Sequence, residues 1–132
     1  MNKEMIEALI KVQQEMPVIK EDANNPHFKS SYATLAQINQ IALPIINKHG
    51  FVVTHEINHN MLKTTATHTS GDEISSIAAL NPTKNDPQGT GGAVTYYKRY
   101  NVCCLFNIAT TDDDGNTASK PTPIAPISKF TP

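Results

Sequence analysis

The chain has no excess of positive charge: 11 Lys and Arg stand against 12 Asp and Glu in 132 residues, for a net charge of −1. Nucleic-acid-binding domains usually carry a basic surplus, and residues 1–110, with nine cations and nine carboxylates, have none. Any positive surface must come from segregation of charge in the fold or from assembly of several copies. Long apolar runs are missing too. No stretch approaches the roughly 18 consecutive apolar residues of a membrane helix, and Glu4 and Glu7 interrupt the N-terminal apolar residues as no signal peptide allows. A cytoplasmic protein with no membrane partner is expected. Cysteine is limited to the adjacent pair Cys103 and Cys104. Helical neighbours point about 100° apart, so the pair makes no useful staple, and buried, reduced thiols are expected. An apolar fraction of 39% supports one domain with a modest core.

Catalytic and cofactor machinery is equally hard to find. Gln88-Gly89-Thr90-Gly91-Gly92 lacks the Lys-Ser/Thr that completes a phosphate-binding loop, so no ATPase is indicated. The histidines His27, His49, His55, His59 and His68 are scattered; His55 and His68 are candidates to meet across a hairpin, but no third zinc ligand is evident. Asp112-Asp113-Asp114-Gly115-Asn116 invites a calcium loop. Placing Gly115 at the sixth position puts Thr110 first and Pro121 twelfth, and neither supplies a carboxylate. Three readings of the acidic cluster stay open: a looser divalent-cation site at Asp112 and Asp114, a helix cap, or a salt bridge to a basic patch on a neighbouring subunit. No catalytic site and no cofactor are expected.

What is present reads as an α+β domain over residues 1–118, followed by a disordered Pro-rich tail over 119–132. Residues 2–16 form an amphipathic helix with Met5, Leu9, Val12 and Met16 in a stripe and Ile6 beside it, ended by Pro17. Residues 17–32 read as a loop. A second helix runs from Thr34 to His49 with a kink or break at Pro44, and Gly50 follows in the left-handed region. Phe51–Ile57, Met61–His68 and Glu73–Ala79 alternate as strands of a three-stranded antiparallel meander. Leu80–Gln88 is a loop, and a helix over 90–106 crosses the sheet.

That last loop and helix carry the densest chemistry. Asp86-Pro87-Gln88-Gly89-Thr90-Gly91-Gly92 leads into a helix with three tyrosines and the only arginine of the chain. At 3.6 residues per turn Ala93, Tyr97, Tyr100 and Cys104 share one face, with Tyr96 at its edge, and this face is expected to pack on the core. Thr95, Lys98 and Arg99 fall on the other side and point outward. The plain reading is a solvated amphipathic helix; the functional one is a surface for a phosphate backbone.

The order Gln88-Gly89-x-Gly91, Thr95-Tyr96-x-Lys98-Arg99-Tyr100 and Asp112-Asp113-Asp114-Gly115-Asn116 resembles the ERF family of phage "essential recombination function" single-strand annealing proteins. Phe28-Lys29-Ser30-Ser31-Tyr32-Ala33-x-Leu35 and Thr69-Ser70-Gly71-Asp72-Glu73 fit as well, so the resemblance spans roughly residues 5 to 118. It implies a β-β-β-α core like that of ring-forming annealing proteins. It also implies ATP-independent binding and annealing of single-stranded DNA in phage homologous recombination, by a homo-oligomeric ring or filament in the bacterial host cell. A single-strand binding protein or an exonuclease is a candidate partner. Together with the chemistry of the residues it marks Lys29, Tyr32, Lys84, Gln88, Thr90, Thr95, Tyr96, Lys98 and Arg99 as DNA contacts. The alternative is a small α+β nucleotide- or phosphate-binding enzyme using the Gly89–Gly92 loop and the Asp112–Asp114 cluster.

Overall fold

Three runs rich in β-branched residues form the sheet. In the computed structural model, which describes residues 1–25, 30–81 and 86–111, they are β3 (Phe51–Asn58), β4 (Met61–His68) and β5 (Glu73–Ala79). They follow α1 (Lys3–Glu15), β1 (Ala23–Asn25), β2 (Ser30–Tyr32) and α2 (Leu35–Lys48), and precede α3 (Pro87–Phe106). The sheet is antiparallel in the order β3-β4-β5, with Phe51 opposite His68 and Asn58 opposite Met61, then Met61 opposite Ala79 and Thr67 opposite Glu73. Both turns use left-handed residues: His59 at φ 59° and Gly71 at φ 96°. The register sets His55 against Thr64 and His68 against Phe51, so the two histidines do not meet across the hairpin.

The α+β expectation holds: one face of the meander is covered by helices. Phe51 on β3, with Leu62 and Ala66 on β4, points inward and is buried, and α3 lies across β4 and β5 while α2 packs on β3. Met5, Ala8 and Val12 of α1 join this core, but Ile6 is exposed instead of flanking the stripe. Asn2 caps α1 by accepting the Met5 N–H at 2.8 Å, and its own N–H donates to Asp72 Oδ2 at 2.7 Å, tying α1 to the β4–β5 turn. At the other end Glu15 accepts from Lys48 (2.7 Å) and His49 (2.9 Å), which lowers its pKa and joins the C-termini of α1 and α2. Pro44 does not break α2, which continues to Lys48 with Pro44 on its exposed side.

The stretch 17–32 is more ordered than its composition suggests. β1 and β2 pair as an antiparallel ribbon, Ala23 with Tyr32 and Asn25 with Ser30. Asp22 fixes its base by accepting the Thr34 N–H (2.8 Å) and hydroxyl (3.0 Å), while its own N–H donates to the Tyr32 carbonyl. Before the ribbon, fully buried Ile19 forms a parallel bridge with Thr110.

The larger departure is at α3. The Gly-rich segment is helix, not loop, starting at Pro87. Asp86 accepts the Gly89 N–H at 2.7 Å, and Pro87 sits in the first turn, where its fixed φ suits a helix. Gly91 and Gly92 therefore have ordinary helical backbone, and a methyl added at either meets nothing within 4 Å. An interior helical glycine is about 1 kcal/mol less favourable than alanine. The double variant Gly91→Ala/Gly92→Ala is expected to gain roughly 1–2 kcal/mol in urea unfolding. A loss of stability would mean that these turns are not helical in solution. No helix among the described residues is long and apolar enough to cross a membrane.

Candidate nucleic-acid interface

The face that α3 turns to the sheet is polar, because the sheet beneath it is polar. Thr64 is fully buried and Ser76 half-buried on the inner face, beside His55. Asn101, almost fully buried, answers Thr64 and Ser76. Its Nδ2 donates to Thr64 Oγ1 (3.0 Å) and to the Leu62 carbonyl (3.3 Å), and its Oδ1 accepts from Ser76 Oγ (3.2 Å). Thr64 Oγ1 is also hydrogen-bonded to His55 Nδ1, at 2.7 Å. Burial first, and the charge of Lys98 second, lower the His55 pKa. Lys98 is thus half-buried on the sheet side of α3, three residues before Asn101, and not on the outward face expected for it.

Tyr96 and Tyr100 occupy the outer side. Tyr100 and Cys104, expected to pack on the core, are exposed, and the buried residues of α3 are Asn101, Val102 and Phe106. Cys103 is only half-buried, so the pair does not behave as buried thiols. Tyr96 and Tyr100, 44% and 43% exposed, lie with their rings tilted by 39° and centroids 4.7 Å apart, and the Tyr96 hydroxyl donates to that of Tyr100 at 3.0 Å. Tyr97 meets the Tyr96 ring edge-on at 5.0 Å. Tyr32 reaches the same patch from β2. The Arg99 guanidinium carbon lies 5.7 Å from the Tyr32 ring centroid, 5.8 Å from Tyr96 and 5.6 Å from Tyr100, within cation–π range of each. The Asp22 bonds that hold the ribbon's base also hold Tyr32 in place.

Of the nine residues marked in the sequence, the fold therefore brings Tyr32, Tyr96 and Arg99 together. Gln88 and Thr95 are exposed on the Arg99 side of α3, since eleven residues are about three turns and four about one. Thr90, nine residues or about two and a half turns from Arg99, is exposed on the opposite side. Lys98 faces the sheet. Lys29 and Lys84 lie outside the described residues, as do Asp112, Asp114 and the tail. Tyr100 is the member of the patch that sequence reasoning misplaced. The signal lay in the sheet: His55, Thr64 and Ser76 share its inner face, which needs a polar residue from the covering helix, and Asn101 is that residue.

Residues 87–111 contain Lys98 and Arg99 and no carboxylate, but Asp86 directly precedes them and Asp112, Asp113 and Asp114 directly follow in the sequence. The start of α3 is a poor phosphate cradle, because the Asp86 carboxylate already takes its Gly89 N–H. This removes the Gly89–Gly92 loop on which a nucleotide-binding reading depends. Among the described residues no group of three or more His, Cys, Asp or Glu could hold a metal ion.

A family model described as the ERF superfamily matches residues 5–129. Comparisons with curated proteins and with solved structures gave no match.

Proposed function

The chain belongs to the ERF superfamily, a family of single-strand annealing in recombination, and from that premise we propose that it binds single-stranded DNA and anneals complementary strands without ATP, as a homo-oligomer in phage recombination. The observation that carries this reading is Arg99, set among the rings of Tyr32, Tyr96 and Tyr100. A guanidinium neutralises and hydrogen-bonds a phosphate, while exposed rings offer faces for bases of any identity. Thr95 and Gln88, on the same side of α3, add neutral hydrogen bonds along the backbone path. Holding a strand extended with its charge neutralised lowers the repulsion that opposes pairing. A neutral protomer with one such patch grips DNA weakly, and repeating the patch around a ring or along a filament strengthens the grip.

Arg99→Ala is expected to weaken binding of a labelled oligonucleotide for all sequences alike. It should also lower the salt slope of log K by about 0.7, because one phosphate keeps its counterion. Lys98→Ala should do less, since Lys98 faces the sheet. Fluorescence anisotropy across a salt series reads both. A folded Arg99→Ala variant with unchanged affinity and slope would take this patch out of the DNA site. Light scattering tests assembly: a monomer with and without oligonucleotide would overturn the homo-oligomer.

A further inference from the structure

At the edge of the polar network beneath α3 stand two nitrogen groups, the His55 imidazole and the Lys98 ammonium, both on half-buried side chains. His55 lies opposite Thr64 in the register, and its Nδ1 is bonded to Thr64 Oγ1. Among the described residues no hydrogen bond reaches its Nε2. Lys98 stands one turn before Asn101, which bonds the same Thr64, and its charge is felt at His55. Among the described residues the ion pairs join Asp72 to the Met1 amine and Glu15 to Lys48 and His49, and none involves Lys98. The other charged groups near His55 are turned elsewhere. By strand alternation Glu56 and its cross-strand neighbour Lys63 project from the opposite face of the sheet. Ser76, which β5 sets against Thr64, is neutral. From α2, which meets β3 at Phe51 through Asn47, Lys48 and His49 turn to Glu15.

We propose that Lys98 and His55 together hold one phosphate of the bound strand, and that the imidazole takes up a proton as the phosphate arrives. The inference rests on the single-strand reading above and deepens it, by making the grip on the backbone depend on pH. A half-buried ammonium without a counter-ion is stabilised by an anion that reaches it. A phosphodiester has two unbridged oxygens, one for the ammonium and one for the imidazole Nε2–H, while Thr64 fixes the ring from its other nitrogen. The direction of the pH effect follows from charge. In the free protein, burial and the neighbouring ammonium make His55 harder to protonate. A phosphate between the two groups offsets that repulsion and makes protonation easier. The complex then holds more protons than the free protein, so affinity rises as pH falls through the histidine range and levels off above it. At pH 8 the imidazole is neutral and Lys98 alone meets the phosphate from the sheet side, the lesser contact assigned to it above. Acid completes the site. The rival occupant is a carboxylate from a second copy of this chain, which the same two groups would also suit.

The full chain is titrated with labelled oligo(dT) from pH 8 to pH 5.5 at fixed salt, and its affinity is expected to rise about fivefold. Calorimetry at pH 6 in buffers of different ionisation heat should show protons taken up on binding. His55→Asn, whose amide oxygen can stand in for Nδ1 opposite Thr64, should flatten the pH profile and abolish most of the uptake. The wild type also carries a test that needs no variant to fold. Diethyl pyrocarbonate acylates neutral imidazole, and oligo(dT) should slow its reaction at His55 but not at His59, exposed on the β3–β4 turn, as read by peptide mass. An unslowed reaction at His55, no proton uptake by the wild type, or the same pH profile in a folded His55→Asn variant would overturn the phosphate site and leave DNA binding standing. Failure to bind oligo(dT) at any pH would sink the single-strand reading itself. Protection of His55 that grows with protein concentration, and that oligo(dT) does not alter, would assign the two groups to a carboxylate of a second copy and overturn the proposal.

Discussion

Phe106→Ala is expected to destabilise the protein by about 4 kcal/mol, the largest loss from any single truncation on α3. Phe106 is fully buried, and its ring meets Phe51 edge-on at 5.4 Å. It belongs to the core cluster with Met5 of α1 and Ile46 of α2, so the void would open where several elements converge. The backbone there has little freedom to close it. Asn107 ends the helix in the left-handed region at φ 55°, and the Ile108 N–H donates to the Cys103 carbonyl at 3.0 Å. Urea unfolding followed by circular dichroism measures the loss. A value below about 1 kcal/mol would mean that the ring is not packed as described.

Asn101→Leu is expected to lose about 3 kcal/mol although it adds apolar character to a buried site. The leucine leaves Ser76 Oγ without its acceptor, takes from the Leu62 carbonyl the donor it has besides the ladder, and removes one of the two bonds to Thr64. Each buried polar group left unmatched contributes about 1–3 kcal/mol of desolvation. Replacing both ends of a buried hydrogen bond by apolar groups is far milder than removing one. Adding Thr64→Val should therefore recover part of the loss, which a double-mutant cycle quantifies. An Asn101→Leu variant as stable as the wild type would show that the network does not form.

These two residues also explain what can and cannot be read from the sequence. The meander is legible because its alternation is long and bounded by clear turns: the expected Met61–His68 and Glu73–Ala79 coincide with β4 and β5, and β3 runs one residue past Ile57. α1 and α2 fall within a residue of their expected ends, each stopped by Pro17 or Gly50. The ribbon escapes notice because the three-residue strands Ala23–Asn25 and Ser30–Tyr32 are too short to show periodicity, and its anchor, Asp22, acts on Thr34 twelve residues away. The start of α3 is hidden by its glycines, whose low propensity is outweighed by the Asp86 cap and Pro87. Its orientation misleads for a different reason. Helical patterning assumes that the buried face is the apolar one, whereas here Asn101 and Lys98 face the sheet and Tyr96 and Tyr100 face water. The assumption holds again at Val102 and Phe106, where α3 passes from the polar part of the sheet to the apolar core. Family resemblance points to Arg99 and Tyr96; only the folded sheet shows that Tyr100 stands with them.

The parallel bridge between Ile19 and Thr110 makes closure of the domain a late event in the life of the chain. Ile19 N–H donates to the Ala109 carbonyl, Thr111 N–H to the Ile19 carbonyl, and Glu21 N–H to Thr111 Oγ1 across a separation of 90 residues. The meander, by contrast, joins neighbours through tight turns, and such hairpins form in about 1–10 μs. At a synthesis rate of about 5–20 residues per second, Thr111 follows Ala79 by roughly 2–6 s. During that interval the sheet is complete but lacks α3, and Phe51 and Leu62 are open to whichever amphipathic helix is nearest. On a polysome, the nearest helix of the right shape is the α3 of another nascent chain.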